Sequence, residues 1–209
     1  MYHVFWLDLE KHDLEFYIHM FYCSFLLLDE NLRQPHRNFA LQYPLVSEYL
    51  MQSSCEVPLD FHPRAGKSSK TYEYRILNRE FRDPTRRLDT YFYHYDLDVD
   101  AMQKAADFLV GEHDFKSFCS VHAQVESTVR TIYACNVSKQ DDEIRIRVTG
   151  NGFLYNMVRI IAGTLMEVGK GRFTPEQVKE IIEAKDRTKA GPTAAAKGLL
   201  LYEYSFEKM

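Results

Sequence analysis

Glu143-Ile144-Arg145-Ile146-Arg147-Val148-Thr149 alternates apolar side chains with basic or polar ones at every second position. A period of two is what a half-buried strand needs, so Ile144, Ile146 and Val148 face a core while Arg145, Arg147 and Thr149 face away from it. An antiparallel partner precedes it over Thr128 to Ser138, across the turn-forming pair Asp141-Asp142. Directly afterwards the period changes. Phe153 to Val168 is apolar nearly all round, which predicts a buried helix, and Gly169 and Gly171 stand where it should end. A hairpin that leads into a buried helix predicts the α+β class.

Working outward, Tyr72, Tyr74 and Ile76 alternate with Thr71, Glu73 and Arg75, which predicts a strand over Lys70 to Leu77. A helix is expected over Val99 to Val110, with Asp98 as N-cap, Met102, Ala105, Ala106 and Leu109 on one face, and Gly111 after the last turn. Thr174-Pro175-Glu176-Gln177 combines an N-cap, a proline at the first helical position and a capping-box glutamine, and Val178, Ile181 and Ile182 follow as the inward face. Lys185 to Lys197 is expected to be a flexible stretch before a last strand, Leu199 to Phe206. The first fifty or so residues differ from all this. They are crowded with aromatics, a helical reading is possible only over Leu14 to Leu28, and no glycine occurs before Gly66. Residues 1–54 are therefore expected to be a poorly defined segment, and 55–209 the folded domain.

At 209 residues with 45% hydrophobic content the chain can bury a core, and its formal charge of −4 excludes a wholly basic coat for nucleic acid while leaving room for a local basic groove. Cys23, Cys55, Cys119 and Cys135 are scattered without metal-ligand spacing, which predicts reduced thiols and a cytoplasmic protein. The most apolar run, Phe16 to Leu28, is interrupted by His19, so neither a membrane span nor a signal peptide is expected.

Positive charge gathers between Arg64 and Arg87, where Arg64, Lys67, Lys70, Arg75 and Arg79 lie beside Tyr72, Tyr74 and the run Tyr91-Phe92-Tyr93-His94-Tyr95. Phosphates need such cations and unstacked bases use such rings, although a solvated charged loop beside core tyrosines has the same composition. Arg159 is the more pointed case, because it sits in Met157-Val158-Arg159-Ile160-Ile161 on a helix otherwise built for burial. Either a carboxylate or phosphate partners it, or its stem lies along the core with the head in solvent. His94 and His113-Asp114 lack an identifiable nucleophile, and Gly169-Lys170-Gly171 lacks the spacing of a phosphate loop.

Several segments together resemble the tRNA pseudouridine synthase A family. They are Asp60-Phe61-His62 with Arg64, Lys70-Thr71-Tyr72-Glu73-Tyr74-Arg75-Ile76, Gly111-Glu112-His113-Asp114-Phe115, Gly152-Phe153-Leu154-Tyr155-Asn156-Met157-Val158-Arg159, and Ala184-Lys185-Asp186-Arg187-Thr188 with Gly198-Leu199. The resemblance implies a mixed, largely antiparallel sheet with packed helices, here as an incomplete copy. It implies a tRNA partner, a homodimer, and conversion of uridine to pseudouridine in the anticodon stem-loop without metal or organic cofactor. By that resemblance Tyr72 stacks on the extruded base, Arg159 pairs with the catalytic aspartate, and Leu199 lines the pocket.

The family's aspartate lies in a Gly-Arg-Thr-Asp segment ahead of the tyrosine motif, and no such segment occurs in these 209 residues. Asp13 has a suitable spacing before Tyr72, but its neighbours Lys11, His12 and Leu14 reproduce none of the motif, so no catalytic residue is assigned. Two expectations follow: either a divergent synthase, or an inactive fragment that retains weak RNA binding. An unpartnered, buried Arg159 would also burden the fold, so Arg159→Met is expected to leave stability unchanged or raise it.

Overall fold

The computed structural model of the chain describes residues 2–9, 49–57, 68–120 and 125–206. The chain divides into two compact units, Met1–Gly66 and Lys67–Met209. In the first, β1 (Tyr2–Leu9) pairs antiparallel with β2 (Tyr49–Val57), and β2 runs through residue 54. The helical reading of Leu14 to Leu28 lies outside the described residues.

The second unit is a sheet built around β3 (Ser68–Asn78). On one side β3 pairs antiparallel with β7 (Glu143–Gly150), which continues to β6 (Val129–Gln140) and β5 (Gly111–Asp114). On its other side β3 is shared: β8 (Leu199–Phe206) pairs antiparallel along Ser68 to Tyr74, and the short β4 (Tyr91–Tyr93) pairs in parallel with Ile76 to Asn78. Three helices complete the α+β unit, α1 (Val99–Asp107), α2 (Met157–Gly169) and α3 (Pro175–Ala184). Their apolar faces join Tyr74, Ile76, Ile144, Ile146 and Val148 in one buried cluster. The period-two alternation in β3 and β7 thus sorts the side chains as expected, apolar toward the helices and charged away from them.

Local signals account for most boundaries. The Asp98 carboxylate accepts from Ala101 N at 2.9 Å at the start of α1, and Thr174 and Gln177 form the capping box of α3. The β6–β7 turn places Asp141 at φ 53°, a left-handed conformation that aspartate tolerates. Two elements differ from expectation. α1 stops at Asp107 rather than Val110, and Gly111, at φ 114°, opens β5 instead of ending the helix. α2 starts at Met157 rather than Phe153, because Asn156 takes a left-handed conformation at φ 61° that no continuous helix can pass.

The stretch from Lys185 to Lys197, expected to be flexible, is tied down at both ends. Asp186 accepts from the backbone N and hydroxyl of Thr188 at 2.9 and 2.8 Å. The Arg187 guanidinium donates to Gly191 O at 3.0 Å and to Thr193 Oγ1 at 3.1 Å. Gly191 N donates to Thr164 Oγ1 on α2 at 3.0 Å. The loop lies so close to α2 that a Cβ on Gly163 would stand 1.8 Å from Pro192 O. Gly191 and the absence of a side chain on Gly163 give a strip of backbone that the helix can approach.

On the sheet face away from the helices, Glu73 has no exposed side-chain surface and accepts from Arg75 Nε at 2.7 Å and Arg147 Nε at 2.5 Å. Glu143 is held in the same way by Arg145 and Arg86. Burial by itself would raise the Glu73 carboxyl, but the hydrogen bonds and charges of Arg75 and Arg147 outweigh it, so the group is held below its ordinary value of 4.5. A carboxyl lowered on folding stabilises the fold fully above its unfolded pKa, and loses that contribution as pH falls through the lower folded value. Stability should therefore decline as pH drops below about 4.5, and Glu73→Gln should flatten this decline while lowering stability at neutral pH. Urea midpoints between pH 3 and 7 measure both. Gly163→Ala should cost about 3 kcal/mol, because the clash partner is backbone rather than a movable side chain. The same urea titration at neutral pH reads it.

Candidate functional site

Tyr74 is the fixed point of the region that Tyr72, Arg159 and Leu199 share. Its side chain is fully buried, and its hydroxyl donates to Ala195 O at 2.8 Å. Arg159 Nε donates to the adjacent carbonyl, Ala194 O, at 2.7 Å, while Ala194 N donates to Arg159 O at 3.0 Å. Two consecutive carbonyls of the loop thereby hold the phenol and the guanidinium side by side. Burial raises the Tyr74 hydroxyl strongly, the nearby Tyr91 adds to this, and the Arg159 charge offsets it only in part. The group stays a neutral donor.

Leu199 faces Tyr74 directly in the β3–β8 ladder, so both side chains point to the helix-bearing side of the sheet. Gly198 precedes it without room for a side chain, since a Cβ there would lie 2.7 Å from Arg75 O and 3.0 Å from the Tyr74 ring. Tyr72, two residues before Tyr74, shares that face. Its half-buried ring meets Phe153 edge-on, with centroids 5.2 Å apart. Burial raises the Tyr72 hydroxyl first and Tyr204 second, so Tyr72 presents an uncharged ring. Tyr72 and Leu199 thus lie on the helix-bearing face beside Tyr74, and Arg159 of α2 is linked to Tyr74 through the Ala194–Ala195 carbonyls.

Arg159 is half-buried rather than buried. Besides Ala194 O it reaches Asn156 Oδ1 through Nη1 at 3.0 Å, and Asn156 Nδ2 in turn donates to Ser120 Oγ at 3.1 Å. No carboxylate lies within ion-pair distance of it among the described residues. Its donors are met by neutral acceptors, so its positive charge is anchored without being cancelled.

The basic residues separate. Lys70 Nζ sits 5.1 Å from the centre of the Tyr204 ring, on the side of the sheet that carries Tyr72. Arg75 lies on the opposite face and is paired to Glu73, and Arg79, beyond the end of β3, is paired to Asp142 at 3.1 Å. Each therefore already has a carboxylate partner within the fold. Arg64 and Lys67 lie outside the described residues. Asp114 caps the turn at Phe115 and pairs with Lys185 at 3.0 Å, and His113 contacts Val110 O at 3.0 Å, so both serve the fold.

Sequence reasoning missed Phe153, Asn156 and the Ala194–Ala195 carbonyls as parts of the site, and it read Tyr74 as a ring for bases rather than as a buried anchor. The signal for Tyr74 was present in the alternation Tyr72-x-Tyr74, and that for Asn156 in a turn-favouring residue three positions before Arg159. Nothing local marks the two carbonyls, because any residue supplies one.

The family described as tRNA pseudouridine synthase matches residues 105–207. Proteins called tRNA pseudouridine synthase A are similar over more of the chain. That of Caldicellulosiruptor bescii is 45% identical over 164 residues, which cover 78% of this chain and 67% of the relative. That of Brevibacillus brevis is 47% identical over 173 residues, 83% of this chain and 71% of the relative. That of an Exiguobacterium species is 42% identical over 183 residues, 87% and 74% of the two. The chain thus spans about two thirds to three quarters of the length of these relatives. An alignment of 183 residues is longer than the stretch from Cys55 to the C-terminus.

The neutral partners of Arg159 reverse the expectation for its removal. Arg159→Met leaves Ala194 O and Asn156 without their donor, and hydrogen bonds from a charged group contribute about 1.5–3 kcal/mol each before relaxation and solvent access reduce the loss. Stability should fall by roughly 1–3 kcal/mol, read as a lower urea midpoint. An unchanged or higher midpoint would show that the guanidinium is held for its charge alone.

Proposed function

Because this chain belongs to the tRNA pseudouridine synthase A family, we propose that its second unit forms the uridine-holding wall of a tRNA pseudouridine synthase. The observation that supports this most is the Arg159 clamp: a fixed, uncancelled cation beside an aromatic wall and an aliphatic residue. In that role the Tyr72 ring stacks on a uracil turned out of the RNA, Leu199 fills the space beside it, and Lys70 attracts the backbone. Arg64 and Lys67 are proposed to extend that contact. Arg75 and Arg79 could add to it only while also holding Glu73 and Asp142.

The isomerisation breaks the bond from ribose C1′ to uracil N1 and forms one from C1′ to C5, with the C5 proton lost and N1 left protonated. Tyr72 and Leu199 can keep the freed uracil from diffusing away while it turns, and Arg159 can hold an attacking carboxylate in its ionised form. None of the three can itself begin the reaction, since a neutral phenol, a guanidinium and an alkyl side chain are neither nucleophile nor base at neutral pH. In the family the carboxylate comes from a Gly-Arg-Thr-Asp segment, and these 209 residues contain none. The second reading, an inactive family member with residual RNA binding, rests on that sequence fact.

The family-like part, expected from Cys55 onward, is proposed to include at least the compact unit Lys67–Met209. Homodimer formation and a cytoplasmic location belong to the same proposal. No described helix is long and apolar enough to cross a membrane, and Cys119 and Cys135 are free thiols.

Incubated with unmodified tRNA, the 209-residue chain by itself should form no pseudouridine above a no-protein control. Joined behind a family N-terminal half that carries Gly-Arg-Thr-Asp, residues from Cys55 onward should form it, and Tyr72→Ala in that chimera should abolish most of the activity. Chemical mapping of pseudouridine reads all three. A folded chimera that binds tRNA without product would mean that the wall around Tyr74 does not hold uridine, and product from the chain alone would point to Asp13 as an unconventional nucleophile.

A further inference from the structure

At the far end of α2 from Arg159, about 16 Å away along the helix axis, a groove of about 380 Å³ is lined by Tyr93, Tyr95, Asp96, Lys170 and Arg172. Its size is that of a small-ligand site. The aromatic wall is made by Tyr93 and Tyr95, which the uridine site does not use. That wall is built rather than incidental. The buried Asn78 at the end of β3 donates through Nδ2 to Tyr93 O at 3.1 Å and to Tyr95 O at 2.7 Å, which fixes the backbone that carries both rings. Tyr95 is 63% exposed, with its ring backed by His94 at 3.7 Å between centroids and by Tyr93 edge-on at 5.9 Å.

The opposite wall is equally fixed. Glu167, on the last turns of α2, accepts from Lys170 Nζ at 2.7 Å and from Arg172 Nη1 at 2.9 Å. Lys170 also lies 4.8 Å from the centre of the Tyr93 ring. Lys170 is thereby spent on the structure, but Arg172 is tied through one nitrogen only and its side chain is 70% exposed. Asp96 adds a carboxylate acceptor on the same groove. An exposed ring held from behind, a guanidinium with donors to spare and a carboxylate acceptor suit a ligand with a flat base, ring N–H groups and a phosphate.

We propose that this groove holds one unpaired nucleotide of an RNA strand, with its base on the Tyr95 ring and its phosphate on Arg172. The RNA is the same tRNA that the uridine wall engages, so this identity rests on the function proposed above, while the nucleotide chemistry does not. The groove gives the family-like unit a second hold, at the opposite end of the helix that carries Arg159. A two-point contact fixes the direction of the strand across the sheet as well as its position.

The test compares the wild-type chain with Tyr95→Phe and with the double variant Tyr95→Ala/Arg172→Ala, both positions being exposed enough to change without loss of fold, which circular dichroism confirms. Binding of an unmodified tRNA transcript and of pentauridylate is measured across a salt series. The double variant should bind tRNA about tenfold more weakly, with a log–log salt slope shallower by roughly one, and Tyr95→Phe should match the wild type. Wild-type and double-variant chains that bind tRNA with equal affinity and equal slope overturn the groove and leave the uridine wall standing. If the wild type binds no tRNA but binds pentauridylate in a way the double variant loses, the groove stands and the tRNA reading fails. Pentauridylate binding that is absent, or equal in both chains, together with no tRNA binding overturns both.

Discussion

The close approach of the Ala190–Ala195 backbone to α2 is the contact on which the site depends. Gly163 has no side chain to hold the loop off, and Gly191 in turn would place a Cβ 2.7 Å from Thr164 Cα. Only with both glycines can the loop run along the helix, and only then do Ala194 O and Ala195 O stand where Arg159 and Tyr74 reach them. The strip is itself rigid because Arg187 binds its carbonyls and a threonine hydroxyl from the other side. A backbone held on two sides behaves as a fixed pair of dipoles, and such dipoles orient a charge without reorganising when a ligand arrives.

β8 makes the second division of labour, between the two faces of the sheet. Its register against β3 slips by one residue beside Thr71 and Tyr72, which leaves Tyr202 as an extra residue. Tyr202 lies over the Arg147 guanidinium at 4.1 Å, on the charged face, whereas Leu199 and Leu201 before the bulge and Tyr204 after it stay on the side of Tyr72. Without the bulge, Tyr202 and Tyr204 would alternate onto the same face. The charged face is largely self-neutralising, because Glu73 and Glu143 each take two arginines and are buried beneath them.

Much of this was legible in the sequence wherever a local rule decides the outcome. The last strand, the capping box of α3 and the faces of β3 and β7 follow from periodicity and from hydrogen-bonding side chains near helix starts. What was not legible depends on distant partners. Asn156 is as acceptable within a helical turn as in a left-handed one until Ser120 and Arg159 bind its side chain. The loop after α3 looks flexible until Gly163 and Thr164 of α2 are placed against it. β4 is too short for an alternation to show, and its pairing with β3 is parallel, so no hairpin turn announces it. For the site, the resemblance named Tyr72, Arg159 and Leu199, but the residue that joins them, Tyr74, is an ordinary core tyrosine by composition.

Arg159 illustrates how neutral partners preserve a charge for use. Had a glutamate of this unit met it, as Glu73 meets Arg75 and Arg147, its field would be spent within the fold and a further carboxylate would bind it weakly. Carbonyl and amide oxygens satisfy donors while carrying no net charge, so the desolvation of the half-buried guanidinium is offset and its attraction for an anion remains. The geometry is also directional. Nε and Nη1 are occupied on Ala194 and Asn156, which leaves the remaining donors of the planar fork to define one approach for a carboxylate. An arginine placed in this way does not fold the domain around an ion pair; under the proposed function it keeps a site for one.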